Sequence, residues 1–327
     1  MDSYLVAMDG SLASPDQATI KSLLADGKLL WLDIKGTGQD TVDLLRDLFH
    51  LHPLLLQSIA RFGQRPKIEP YGDLTYLVFY GARGMGEHPT EVHCFCAEHF
   101  LVTVRREQSA VLDQLRKQVA EQGGPLYGVQ ADSKRPLRLI MLYHIMEGEI
   151  DSWFPALSAF DDKIDALQQQ MFVKPTDQQL SELFSMQRWL VGMRKVVSPE
   201  RDMVASLSSG IIELPGKVPE SEPYIRELYD HLIRINDLVD SYRDLVSNAM
   251  SAYLSTVSNR LNQVMKQLTI IATVFLPLSF LTGFFGQNFG WLVSRLGSLT
   301  AFLGLGIGTE VVAVTALFVL FRRRGWM

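Results

Sequence analysis

Five potential metal ligands, His88, His93, Cys94, Cys96 and His99, crowd a twelve-residue window of this chain. Imidazole and thiolate together suit zinc. In an extended segment, though, Cys94 and Cys96 share one face while His93 points to the other, and the spacing fits no standard zinc arrangement. The two thiols are therefore expected to be small buried apolar side chains. His50-x-His52 reads as a helix end, where packing and capping account for it. Glu310 interrupts a long apolar run, and a carboxyl within lipid is either functional or faces protein or water. Protonation, pairing with a polar neighbour and proton coupling are all open to it. Gly304-x-Gly306-x-Gly308 superficially resembles a dinucleotide fingerprint, but no strand precedes it, and helix packing is the better reading. Glu227, Asp230, Asp237, Asp240 and Asp244 recur along one side of a helix. That is a solvated face or, where several such helices cluster, an attractor of cations. No nucleophile–base arrangement or phosphate loop stands out, so neither an enzyme nor a cofactor is expected.

The elements that must hold these residues follow from a split in composition. Residues 267–327 contain four arginines and one glutamate, which leaves 27 basic and 35 acidic residues for 1–266, a net charge of −8. An acidic body without a basic cluster argues against nucleic acid as a partner. Only the last sixty or so residues are apolar enough for lipid. Residues 267–285 carry no charge and residues 299–321 only Glu310, and each run can cross a hydrocarbon core ~30 Å thick as a helix. A short loop joins them into a hairpin. Lys266 precedes the first span and Arg322, Arg323 and Arg324 follow the second, which puts both termini in the cytoplasm. No leader peptide is visible. Positions 265, 269, 272, 276, 279, 283 and 286 of the first span read Met, Thr, Ala, Leu, Ser, Gly, Gly. This small, weakly polar face suits either a pore lining or close helix packing, opposite a bulky face of Ile270, Ile271, Val274, Phe275, Leu278, Leu281 and Phe285.

Upstream, apolar residues at Ile225, Leu228, Leu232, Ile235, Val239, Tyr242, Val246, Ala249 and Tyr253 alternate by three and four, a coiled-coil seam held for about four heptads. The spacing predicts one helix from Pro223 to Phe285, about 90 Å long. Residues 139–172 and 177–208 read as two further helices. Before them, 31–34, 75–80, 92–97 and 100–104 are strand-like, with helical stretches at 15–26, 40–60 and 107–122 and a hairpin turning at Glu98-His99. The expected fold is an α+β cytoplasmic domain (1–135), a helical stalk (136–266) and a transmembrane hairpin (267–327).

With HPLLLQSI at 52–59, QRPKIEPYGDLTYLVF at 64–79, Asn262-Gln263-Val264-Met265-Lys266 entering the first span and Gly286-Gln287-Asn288 closing it, the chain resembles the CorA family of divalent-cation channels over nearly its whole length. The resemblance implies a funnel-shaped homopentamer in the inner membrane, its pore lined by the first spans and ringed by the second. By position, Asn262, Met265, Leu276, Ser279, Gly283 and Asn288 would face the pore, with Gly286, Gln287 and Asn288 forming the outer mouth and Asn288 meeting the ion. The chemistry is consistent. Mg²⁺ sheds water reluctantly, and a ring of neutral amides can hydrogen-bond its waters without trapping it. Helix C-termini converging at the mouth add partial negative charge, Gly286 lets the chain bend, and Met265 and Leu276 supply hydrophobic constrictions.

Three features depart from the family pattern. Gln287 replaces the motif's methionine. The outer loop lacks acidic residues and carries Arg295, which resembles the zinc-transporting ZntB branch. Gln57 and Ser58 stand where the family has an acidic pair that helps bind regulatory Mg²⁺, whereas Glu227 matches the other side of that site, so weaker Mg²⁺ feedback is expected. The substrate implied is Mg²⁺, with Co²⁺ or Ni²⁺ as analogues. Proton-coupled Zn²⁺ transport and a membrane-anchored metal sensor or scaffold without flux are the alternatives.

Overall fold

The computed structural model describes residues 2–7, 12, 13, 15–122, 137–214, 217–287 and 289–326. Two compact units divide the chain, Met1–Met250 and Ser251–Met327. The first begins with a mixed sheet of β1 (Asp2–Ala7), β2 (Leu12–Ala13), β3 (Leu30–Lys35), β4 (Lys67–Tyr71), β5 (Leu74–Gly81), β6 (Thr90–Cys96) and β7 (Phe100–Arg105). Its strand order is β2-β1-β3-β7-β6-β5-β4. β3 and β7 run parallel, with Leu30 opposite Phe100 and Lys35 opposite Arg105, and the other pairings are antiparallel. β3 is an interior strand beside the central β7, and Leu30, Trp31, Leu32 and Ile34 are fully buried, as a near-continuous apolar strand covered on both faces should be. The expected hairpin closes with Ala97 N–H donating to the Phe100 carbonyl at 3.0 Å.

Three strands escaped the sequence reading. β4 carries Pro70, which argues against a central strand, and it sits at the sheet edge where the missing N–H costs no ladder bond. β1 and β2 pair with each other and are short or terminal. The helical stretch expected at 40–60 is two helices, α2 (Gln39–Phe49) and α3 (Pro53–Ala60). His50 breaks the run in the left-handed region (φ 51), and His52 Nδ1 caps α3 by accepting the Leu54 N–H at 3.2 Å. The capping reading of this histidine pair therefore holds. α1 (Gln17–Ala25) and α4 (Ala110–Gln122) match expectation within a few residues.

The stretch read as one helix over 139–172 is also two, α5 (Leu137–Asp151) and α6 (Trp153–Val173). Pro155 lacks the N–H that a continuous helix would need there, and Ser152 fills the break, its hydroxyl donating to the Glu149 carbonyl and accepting the Ala82 N–H. α7 (Asp177–Ser208) opens on a capping box of Thr176 and Gln179. α8 (Glu222–Phe285) is the long helix anticipated, 64 residues without interruption.

The apolar seam of α8 is buried within its own chain. Leu228, Leu232, Ile235, Val239 and Val246 are at most 2 % exposed, and polar contacts fix the seam to its neighbours: Ser198 donates to Asn236 at 2.7 Å, Arg194 pairs with Asp240 at 3.1 Å and Tyr242 rests on Phe160. The three-four spacing thus reports packing on α6 and α7 of the same chain. In the second unit, α9 (Gly290–Leu296) occupies much of the segment expected to be a loop, and α10 (Leu299–Ala301), a π-helical turn (Phe302–Ile307) and α11 (Gly308–Arg323) form the second span. Both spans have a mean hydropathy of 2.0 over their apolar windows.

Candidate cation pathway on the membrane-spanning unit

The first span shows two faces within the second unit. Asn262, Met265, Leu276, Ser279 and Gly283 are all exposed. At ~100° per residue they fall within roughly 100° of helical arc. Ile270, Thr273, Pro277, Leu278, Leu281 and Phe285 are half-buried instead, on an arc centred roughly 140° away. The hairpin therefore covers one side of the span and leaves the small-residue side bare. Of the residues expected to form a lipid-like face, Ile271 and Phe275 are exposed, at 54 % and 63 %, while the others pack inside the unit. The two ends of the hairpin are tied together by Lys266 Nζ donating to the Gly325 carbonyl at 3.3 Å, and Phe321 is buried beside Trp326.

The stripe presents little polarity of its own. Thr269 turns its hydroxyl back to the Met265 carbonyl at 2.7 Å, and Thr282, beside the stripe, does the same to Leu278 at 2.9 Å. At the far end the helix stops in a tight turn, with Gly286 N–H on the Thr282 carbonyl at 2.9 Å and Gln287 N–H on that of Phe284 at 3.4 Å. A Cβ on Gly286 would lie 3.0 Å from the Thr282 carbonyl oxygen, a tight approach that glycine relieves. Gln287 is exposed beside these last carbonyls, whose partial negative charge favours a cation. Asn288 lies outside the described residues.

Glu310 is half-exposed and lines a cavity of about 560 Å³ with Thr282, Phe285, Gly286, Phe302, Leu305 and Gly306 among others. The only carboxylate of the tail thus faces protein-lined space. Of the three glycines before it only Gly308 is closely approached: a Cβ there would sit 3.3 Å from the Leu303 carbonyl, one on Gly306 3.6 Å from the Phe302 ring, and Gly304 has nothing within 4 Å. A π-turn is an irregularity often found at functional positions, and periodicity does not signal it.

In the first unit, Glu227 is exposed and accepts the Tyr143 hydroxyl at 2.9 Å. The same hydroxyl reaches Glu147 at 2.6 Å. Burial alone would raise the Glu147 carboxyl, yet hydrogen bonds from His144 and Tyr143 leave it below its ordinary range. Gln57 is exposed, and Ser58 gives its carbonyl to the Gln64 amide at 2.7 Å, so neither is joined to Glu227. Asp230, Asp237, Asp240 and Asp244 are all exposed, and Asp240 pairs with Arg194 and Arg243.

The histidine–cysteine window does not assemble. Cys94 and Cys96 are buried and free. Burial pushes the Cys94 thiol well up and that of Cys96 to about 12, far from the thiolate that a metal needs. His93 is held between Tyr76 at 2.7 Å and Glu91 at 2.9 Å, and His88 and His99 are exposed. Among the described residues no three metal-ligating side chains converge.

These features define a two-span membrane protein with a large polar body, its first span carrying a bare small-residue stripe. The profile of the CorA-like Mg²⁺ transporter family matches residues 26–323, and the chain belongs to that family of divalent-cation transporters. It is 32 % identical over 304 residues to the cobalt/magnesium transport protein CorA of Thermotoga maritima, spanning 91 % of this chain and 83 % of that one. It is 24 % identical over 278 residues to the zinc transport protein ZntB of Klebsiella pneumoniae, spanning 80 % and 78 %. The full-length CorA magnesium transporter of Methanocaldococcus jannaschii shares the fold at a TM-score of 0.81 and 18 % identity, covering 100 % of this chain and 99 % of that one.

Proposed function

We propose that five copies of this chain enclose a pore for hydrated Mg²⁺, with Co²⁺ and Ni²⁺ as analogues, in an inner membrane with both termini in the cytoplasm. The observation that carries this reading is the stripe Asn262, Met265, Leu276, Ser279 and Gly283, left uncovered by its own hairpin. Small and amide-bearing residues on a bare face of a lipid-spanning helix are accounted for by other copies closing around it. Residues 1–135 form the cytoplasmic α/β domain, 136–266 the stalk and 267–327 the hairpin. Gly286, Gln287 and Asn288 make the outer mouth, where Asn288 hydrogen-bonds the water shell of an ion that dehydrates reluctantly. Met265 and Leu276 narrow the path where it can dewet. Glu227 contributes to a regulatory cation site left incomplete by Gln57 and Ser58.

Glu310 supports a second reading, in which Zn²⁺ moves with protons. A carboxyl in a cavity at the level of Gly286 can exchange a proton as the ion passes.

The deciding experiment is metal flux into proteoliposomes holding ion-sensitive dyes, with and without a pH gradient, for the wild type and Asn288→Ala. Mg²⁺ uptake that ignores the gradient and falls at least tenfold in Asn288→Ala is expected. Zn²⁺ uptake that follows the gradient favours the second reading. An assembled pentamer passing no ion refutes both in favour of a membrane-anchored sensor.

A further inference from the structure

Two carboxyl groups that play no part in the pathway are sealed where the sheet meets the helices. Glu149 on α5 is 1 % exposed and Glu200 on α7 is 0 % exposed. Both lean on the end of β5. The Tyr80 N–H donates to Glu200 Oε1 at 3.3 Å, a Cβ on Gly81 would overlap Glu149 Oε2, and the Ala82 N–H bonds Ser152 beside Glu149. Ser109 caps α4 through the Leu112 N–H at 3.1 Å and donates its hydroxyl proton to Glu149 Oε1. Glu200 Oε2 is buried without a hydrogen-bond partner. An ionised oxygen could not be left so.

We propose that Glu149 and Glu200 form a proton-operated latch between the sheet and the helical section, closed while both carboxyls are protonated and loosened when the cytoplasm turns alkaline. The groups facing the pair are few. Arg105 on β7 favours ionisation of Glu149, but that guanidinium is committed to Asp33 at 2.9 Å and Asp113 at 3.0 Å. Asp33 on β3 opposes ionisation of Glu149, and an ionised Glu149 opposes that of Glu200. Tyr80 on β5 faces Glu200, with Glu91 on β6 acting on the same phenol. Burial dominates, raising Glu149 from 4.5 to about 7 and Glu200 well above its ordinary value.

The sign follows from linkage. The folded chain keeps the protons that the unfolded chain releases, so the latch is at full strength below about pH 4.5. It weakens as pH rises and has lost the Glu149 contribution once pH passes about 7. Glu200 carries the loss further to the alkaline side. Two residues before Glu200, Ser198 grips Asn236 of α8, the helix that continues without a break into the first span.

The test compares the full-length protein with Glu149→Gln, Glu200→Gln and the double variant, each amide being shaped like a protonated carboxyl. Hydrogen exchange of segment 78–83, corrected for intrinsic pH dependence, is expected to quicken at least tenfold between pH 6 and pH 8 in the wild type and to stay level in the double variant. An infrared band of protonated carboxylic acid that fades over the same interval, and is absent from the double variant, supports the latch without relying on transport. An equal exchange step in both proteins, or a wild-type band of unchanged intensity from pH 6 to pH 8, overturns it. Metal flux with the same pH profile in both proteins overturns the link from latch to pore.

Discussion

Buried ionic groups show how much one residue carries in this chain. Asp33 lies in the interior strand β3, 1 % exposed, and its charge is met by Arg105, also 1 % exposed, from the neighbouring β7. Thr103 donates to the same carboxylate at 2.8 Å while accepting the Trp31 indole N–H at 3.1 Å. Burial alone would lower the Arg105 guanidinium, but Asp33 and Asp113 together outweigh it and hold the group protonated. Arg105→Met should therefore cost about 3–5 kcal/mol, because it strands a charge in the sheet. The double variant with Asp33→Asn should recover part of that loss. Urea unfolding of the soluble body checks this, and a double variant no better than the single would contradict it. The pairing was not foreseen from the sequence, since Asp33 and Arg105 are joined only by the parallel register of β3 and β7.

Among the elements, α8 is the decisive one. Its length was legible because neither proline nor glycine interrupts 224–276 and Pro277 falls where lipid tolerates it. What the seam packs against was not legible, because a three-four repeat looks the same whether its partner is another chain or α6 and α7. Ile235, 0 % exposed, lies on that seam. Ile235→Ala should destabilise the soluble body by about 2–5 kcal/mol, whereas Asp237→Ala on the exposed side should change it by about 0.5 kcal/mol or less. Thermal unfolding at several protein concentrations tests both points. A midpoint for Ile235→Ala that returns to the wild-type value on concentration would mean that the seam binds another copy. The breaks at His50 and Ser152 are of the opposite kind, short local punctuation that a smooth apolar periodicity conceals.

At the scale of the whole molecule, the bare stripe and the covered face of the first span argue for an assembly. A cysteine at Ser279 should be modified by a charged, membrane-impermeant thiol reagent with at least a fivefold loss of flux. One at Ile271, 54 % exposed on a different side of the helix, should be modified without that loss, or not at all. Native thiols will not confuse the readout, because Cys94 and Cys96 are buried and held protonated. The reverse pattern would exchange the pore-facing and lipid-facing sides and refute the pathway. Mass measurement of the intact assembly should return five copies.

Sequence alone determined the features that depend on neighbours along the chain: the two apolar spans, the unbroken α8, the small-residue stripe and the family's marker segments. Lipid and helical periodicity act on consecutive residues, so composition and spacing suffice to read them. Tertiary structure decided what depends on contacts between distant segments. It sent the α8 seam against its own chain and set Glu310 in a cavity beside a π-turn. It also brought Glu149 and Glu200 to the end of β5, where burial and not spacing changes their chemistry. A carboxylate's neighbours in space set its charge, and those neighbours are chosen by the fold.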